Sequence, residues 1–212
     1  MHAFERVGEA TVCRFEPAEI EILRSLLCQL LGLITDDSCF LQPGQQLGDC
    51  CCDAGSNNSC CEGEDAILAE LDRQFTSSMQ LNDPMYFAHA DPVIKRLFPP
   101  AYLDDEEANF DFQRFSAPSI FEDKVVGLRA MLSDLADNCS DDGVCSVPGE
   151  HLGYWLKTLT SLRLALAVRL GISTSTDAEA LAEIGQDDPR SFAYSIYEWL
   201  GFVQESLLAV CE

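Results

Sequence analysis

At 212 residues the chain has the size of one domain, or of one domain with an appendage, and its 47% apolar residues are enough to fill a sizeable core. Its 36 acids against 13 bases leave a formal charge of −23, which repels polyanions and argues against tight, non-specific nucleic-acid binding unless a basic patch is concentrated somewhere. The first eleven residues carry Glu5, Arg6 and Glu9 rather than the apolar run of a signal peptide, and no apolar stretch approaches the roughly 20 residues of a spanning helix. The expectation is a cytoplasmic protein with no membrane association. In that reducing compartment permanent structural disulfides are disfavoured, and metal binding or redox sensing by cysteine gains weight.

In chain order, Ala3 to Val7 and Ala10 to Phe15 flank Gly8-Glu9 and predict a short β-hairpin or one bent strand. Pro17 suits a first helical turn, and Ile20, Leu23, Leu27, Leu30, Leu31 and Ile34 continue at helical spacing to about residue 34. The composition then changes. Residues 36–63 hold Cys39, Cys50, Cys51, Cys52, Cys60 and Cys61 among Gly, Ser, Asn and Asp, and read as a flexible insertion within a single helical domain spanning 1–212. A second helix is expected through Ile67, Leu68, Leu71 and Phe75.

Asp91-Pro92 has the form of an N-cap followed by proline, opening a short helix that ends at Pro99-Pro100. Asp104 with Glu107 resembles a capping arrangement for a helix through Phe110 and Phe115. After Ser116, the residues Phe121, Val125, Leu128, Leu132 and Leu135 share one face. Asp141-Asp142-Gly143 predicts a turn and Val144 to Val147 a strand. Pro148 opens a helix with Leu152, Trp155, Leu156, Leu159, Leu162, Leu166 and Leu170 inward and Gly171 at its end. Thr176 with Glu179 reads as a capping box, and Asp188-Pro189 as a cap before a last helix burying Phe192, Ile196, Trp199, Leu200, Val203 and Leu207. The sum is mainly α: a helical bundle with a short N-terminal β-hairpin or strand.

Four stretches, Arg24–Leu31, Asp91–Tyr102, Trp155–Leu170 and Tyr197–Ser206, resemble an actinobacterial family first labelled as a domain of unknown function and described as oxidative-stress regulators of the AosR type. The specific runs are Leu97-Phe-Pro-Pro-Ala-Tyr102 and Trp199-Leu-Gly-Phe-Val-Gln-Glu205. The resemblance implies a redox-responsive regulator that acts with a sigma factor or RNA polymerase, or at promoters, on thiol-protective genes. The Cys-rich stretch 36–63 is not part of that pattern and inherits no role from it.

The chemistry-bearing residues are the eleven cysteines. No Cys-x-x-Cys occurs, so no zinc-ribbon or thioredoxin motif is present, and no cofactor is implied. The loop cysteines at 39, 50, 51, 52, 60 and 61 form a metal or redox cluster, or are inert. Cys139 and Cys145 bracket Gly143. A disulfide there is sterically easy if the Cα atoms approach within about 7 Å. The plainer reading is two thiols at a helix end and a strand, slowed toward oxidation by Asp137, Asp141 and Asp142. Cys13 and Cys211 are a second candidate disulfide, since domain termini often meet. Cys28 reads as a small core residue. His2, His89 and His151 show no metal spacing, and no nucleophile–base pair or phosphate loop stands out, so no enzyme is expected. Arg163 and Arg169, embedded in leucines, read as partners for the excess acids. DNA contact is expected only weakly or through a protein partner. The alternatives are a non-switching interaction scaffold and a thiol-dependent metal-binding module on residues 39 to 61.

Overall fold

The computed structural model describes residues 3–8, 10–35, 90–140, 142–185 and 187–211. The cysteines of the 36–63 stretch, the helix expected through Phe75, and His2 and His89 lie outside the described residues. The described chain is mainly α-helical with one small antiparallel sheet.

The sheet comes from three short runs. β1 (Glu5–Val7) and β2 (Ala10–Arg14) form the expected hairpin, with Val7 opposite Ala10 and Gly8 in the left-handed conformation at the turn. β3 (Val144–Val147) arrives from far along the chain and pairs antiparallel with β2, giving the order β1-β2-β3. Both β2 and β3 alternate buried and part-buried residues, so Thr11, Cys13, Cys145 and Val147 face the core, as the period of two dictates.

Helix α1 (Pro17–Thr35) buries Leu23, Leu27, Leu30, Leu31 and Ile34 along one stripe. α2 (Pro92–Leu97) starts as its sequence predicts: the Asp91 carboxylate accepts from the Val93 amide at 2.8 Å and proline takes the first turn, where no amide is needed. α3 (Glu106–Asp137) is one helix of 32 residues, so the two apolar patterns on either side of Ser116 belong to a single element that runs through Pro118. Its cap is Asp105, which accepts from the Ala108 amide at 2.9 Å, and the expected Asp104 lies one residue outside.

A 3-10 turn (Gly149–His151) leads into α4 (Leu152–Leu170), which ends on left-handed Gly171. α4 is the central helix, flanked by α1, α2, α3 and α6 (Ser191–Ala209), and its Trp155, Leu159 and Leu162 are fully buried. Phe4, Phe15, Trp155 and Trp199 meet edge-to-face at centroid distances of 6.0–6.4 Å, which ties the hairpin to α4 and α6.

Four expectations about helix starts and burial are corrected. α5 (Ser175–Ala182) is capped by Thr174 with Asp177, not by Thr176 with Glu179. The Asp177 carboxylate accepts from the Ser173 and Thr174 amides, and those two bonds hold its pKa below the ordinary range. Asp188-Pro189 does not cap α6; Asp188 instead folds back on Arg190, whose side chain holds the carboxyl down at about 2. Phe192 is 67% exposed because α6 turns it outward, while Leu200, Val203 and Leu207 fill the core. Cys28 is half-buried, not a full core residue.

Among the basic residues set in leucines, Arg169 does pair with an acid, Asp91, at 2.8 Å. Arg163 instead donates to Gln204 at 3.1 Å and lies over the Tyr197 ring. Around the start of α3, Tyr102, Leu103, Phe112 and Phe115 are exposed, and Tyr102, Phe112 and Phe115 border an open groove of about 510 Å³.

Candidate functional site

The site is assembled where α3 ends. The Asn138 amide donates to the Asp134 carbonyl at 2.9 Å and its side-chain amide donates to the Asp134 carboxylate at 3.0 Å, which stops the helix and turns the chain. The turn closes by Gly143 N–H donating to the Ser140 carbonyl (2.8 Å), with Ser140 N–H donating to Val144 (2.9 Å) and Ser146 N–H to Asn138 (3.0 Å). Gly143 is required: its φ is +75°, and a Cβ there would run into the Phe15 carbonyl. Its own carbonyl accepts from Phe15 N–H at 2.8 Å, which seats the turn against β2.

This hairpin places Cys139 directly opposite Cys145, and the two form a disulfide with Cα atoms 4.0 Å apart. The neighbouring backbone bonds run through residues 138, 140, 144 and 146, so 139 and 145 occupy a non-hydrogen-bonded pair, the type in which opposed side chains stand closest. The plainer reading of two separate thiols thus gives way to the cross-link.

Cys13 and Cys211 are not brought into a bond. Cys13 is 3% exposed on the core face of β2, whereas Cys211 is exposed just past the end of α6. Burial, reinforced by the Glu19 carboxylate, pushes the Cys13 thiol up to about 12, so at neutral pH its thiolate is scarce. The structure places Cys13 beside a different cysteine: its register partner is Cys145.

Joined to the disulfide hairpin through Asn138 is a polar cluster that the sequence did not single out. Asp134 is 3% exposed, and its carboxylate accepts from Trp155 Nε1 at 2.8 Å, His151 Nδ1 at 3.0 Å and Asn138 Nδ2 at 3.0 Å. These bonds satisfy a buried charge that would otherwise be costly and lock the end of α3 to the start of α4. The available signal was an acid inside the apolar stripe, between Met131 and Leu135, with a histidine and a tryptophan four residues apart downstream. Among the described residues no group of three His, Cys, Asp or Glu side chains is arranged to hold a metal ion, and no helix is long and apolar enough to cross a membrane.

The profile of the family described as "Domain of unknown function (DUF2017)" matches residues 1–211. The chain belongs to that family. Within reach of this DUF2017 chain are two curated relatives. One, named "Putative oxidative stress regulator AosR", from Mycobacterium leprae (strain TN), is 28% identical over 128 residues, 56% of this chain and 57% of that protein. The other, named "Oxidative stress regulator AosR", from Mycobacterium tuberculosis (strain CDC 1551 / Oshkosh), is 26% identical over 133 residues, 57% of this chain and 58% of that protein. The aligned part therefore spans little more than half the length of either relative. No solved structure matches the chain.

Proposed function

We propose that this protein is a redox-responsive regulator of the oxidative-stress response that acts in the cytoplasm through a protein partner, a sigma factor or RNA polymerase, and not as an enzyme. The observation that carries the reading is the Cys139–Cys145 disulfide, set on a hairpin that is hydrogen-bonded to the buried Asp134 cluster. The names of the two mycobacterial relatives support the oxidative-stress half of it.

Reduction would release Cys139 from Cys145 and leave the turn held by backbone bonds alone. Asn138, one residue from the sulfur, shares Asp134 with Trp155 and His151, so loosening the hairpin bears on the α3–α4 contact. Toward the other end of α3, its exposed Phe112 and Phe115 line a groove with Tyr102 from the preceding segment, a surface suited to protein docking. The charge of −23 suits a partner that is basic at its contact face, and DNA would be reached through that partner.

The test is the affinity of the full chain for purified RNA polymerase holoenzyme, measured oxidised, reduced, and as the Cys139→Ser/Cys145→Ser double variant. The reading predicts at least a tenfold difference between oxidised and reduced protein, with the variant fixed at the reduced value. Equal affinities in all three would remove the redox half of the reading.

A further inference from the structure

Three cysteines stand in a row across the sheet. Cys145 sits on β3, with Cys13 opposite it on β2 and Cys139 opposite it on the other edge. Directly opposed residues of an antiparallel pair project to the same face, and Cys13 and Cys145 are both on the core face, 3% and 1% exposed. The Phe15 N–H to Gly143 carbonyl bond fixes the phase of the β2–β3 ladder. Two residues along, Cys13 and Cys145 are therefore a hydrogen-bonded pair, for which the Cα separation is about 5.5 Å. That Cα separation lies within the disulfide range, and the Cβ atoms of such a pair, about 5.5 Å apart, must draw together by about 1 Å for the bond to close.

We propose that Cys13 is the third member of this site and exchanges with Cys139 for Cys145, so that the cross-link passes between a Cys139–Cys145 form and a Cys13–Cys145 form. The inference rests on the disulfide reading above and adds the residue that can displace it. Exchange requires the attacking sulfur to approach on the side away from the leaving sulfur. Cys13 on one side of β3 and Cys139 on the other supply that arrangement.

The step balances without an oxidant. The Cys13 thiol gives up its proton, its sulfur forms a bond to Cys145 Sγ, the Cys145–Cys139 bond breaks, and Cys139 leaves as a thiolate that takes up a proton. One disulfide is consumed and one is made. The burial that suppresses the Cys13 thiolate makes the step slow, so the Cys139–Cys145 form persists until the sheet loosens or the pH rises. The consequence is structural. In the first form the tie closes only the 139–145 turn; in the second it joins the N-terminal hairpin to β3 and frees the end of α3, leaving a half-buried Cys139 thiol.

The test uses the oxidised full chain, incubated at pH 8, quenched with N-ethylmaleimide, digested and read by mass spectrometry. The expected result is a Cys13–Cys145 cross-linked peptide appearing in step with maleimide-labelled Cys139. It is absent from Cys13→Ser, and no cross-links from Cys145 to Cys28 or Cys211 appear. Cys139→Ser treated with diamide is expected to form Cys13–Cys145 directly. Wild-type protein that yields only the Cys139–Cys145 peptide overturns the proposal, as does indiscriminate pairing of Cys145 with Cys28 or Cys211. The wild-type result decides if Cys139→Ser loses its helical circular dichroism. Because this readout needs no partner, a failed exchange leaves the binding test intact, and equal affinities there leave the exchange intact.

Discussion

Asp134 is a carboxylate held almost wholly away from water, and three donors, Asn138 just past α3, His151 in the 3-10 turn and Trp155 on α4, are what make that position tolerable. Replacing it with alanine strands the Trp155 indole N–H in the core and removes the partner of the half-buried His151. Asp134→Ala is expected to cost about 3 kcal/mol, read as a lower urea midpoint with an unchanged slope. Gly143 is as constrained in a different way: Gly143→Ala meets both a left-handed backbone and the Phe15 carbonyl, and should destabilise by at least about 1–2 kcal/mol in a thermal melt. Asp91 supplies a pH-dependent contribution. Burial pushes its carboxyl up, but the Val93 amide and the Arg169 guanidinium outweigh that and hold it below the ordinary value. A depressed pKa means stability that is present above the unfolded-state value near 4 and is lost as pH falls through the lower folded value. Asp91→Asn should therefore flatten part of the acid limb of the stability curve, measured between pH 5 and pH 2.

The helices that sequence periodicity marks most clearly are those whose apolar stripes fill the core: α1 with Leu23 and Leu27, α4, and the Leu200–Leu207 half of α6. The strand at Val144–Val147 was equally legible, being an alternating run bounded by Gly143 and Pro148. Cap positions were less so, because Asp and Thr are abundant and several frames satisfy the same local pattern. Thr174 with Asp177 and Thr176 with Glu179 are both valid capping boxes, and the earlier one takes the helix start because Asp177 also gathers the Ser173 amide. Thr174→Ala should consequently destabilise by about 1 kcal/mol while Thr176→Ala changes little, by equilibrium denaturation. The disulfide partner of Cys139 could be read from a six-residue separation around a glycine turn. The position of Cys13 beside Cys145 could not, since it depends on the register with which β2 meets a strand some 130 residues away. Asp134 was hidden for a related reason: two of its three donors, His151 and Trp155, come from beyond the 139–145 turn, and nothing local distinguishes it from the many acids that are merely solvated.

For the molecule as a whole, the short 139–145 loop means that the cross-link removes little chain entropy, about 2 kcal/mol on the loop-closure account. Reduction should lower the melting temperature by several degrees without unfolding the bundle, since the core around Trp155, Leu159 and Leu200 does not depend on sulfur. A net charge of −23 adds that binding to a basic partner face will weaken steeply as salt rises. What ties these scales together is the route from the disulfide, through Asn138 and Asp134, to the α3–α4 contact. Hydrogen–deuterium exchange of the full chain, oxidised against reduced, probes it most directly. Faster uptake in the reduced protein across residues 134–151, with α1 and α6 unchanged, is the predicted result; indistinguishable uptake over that stretch would contradict it.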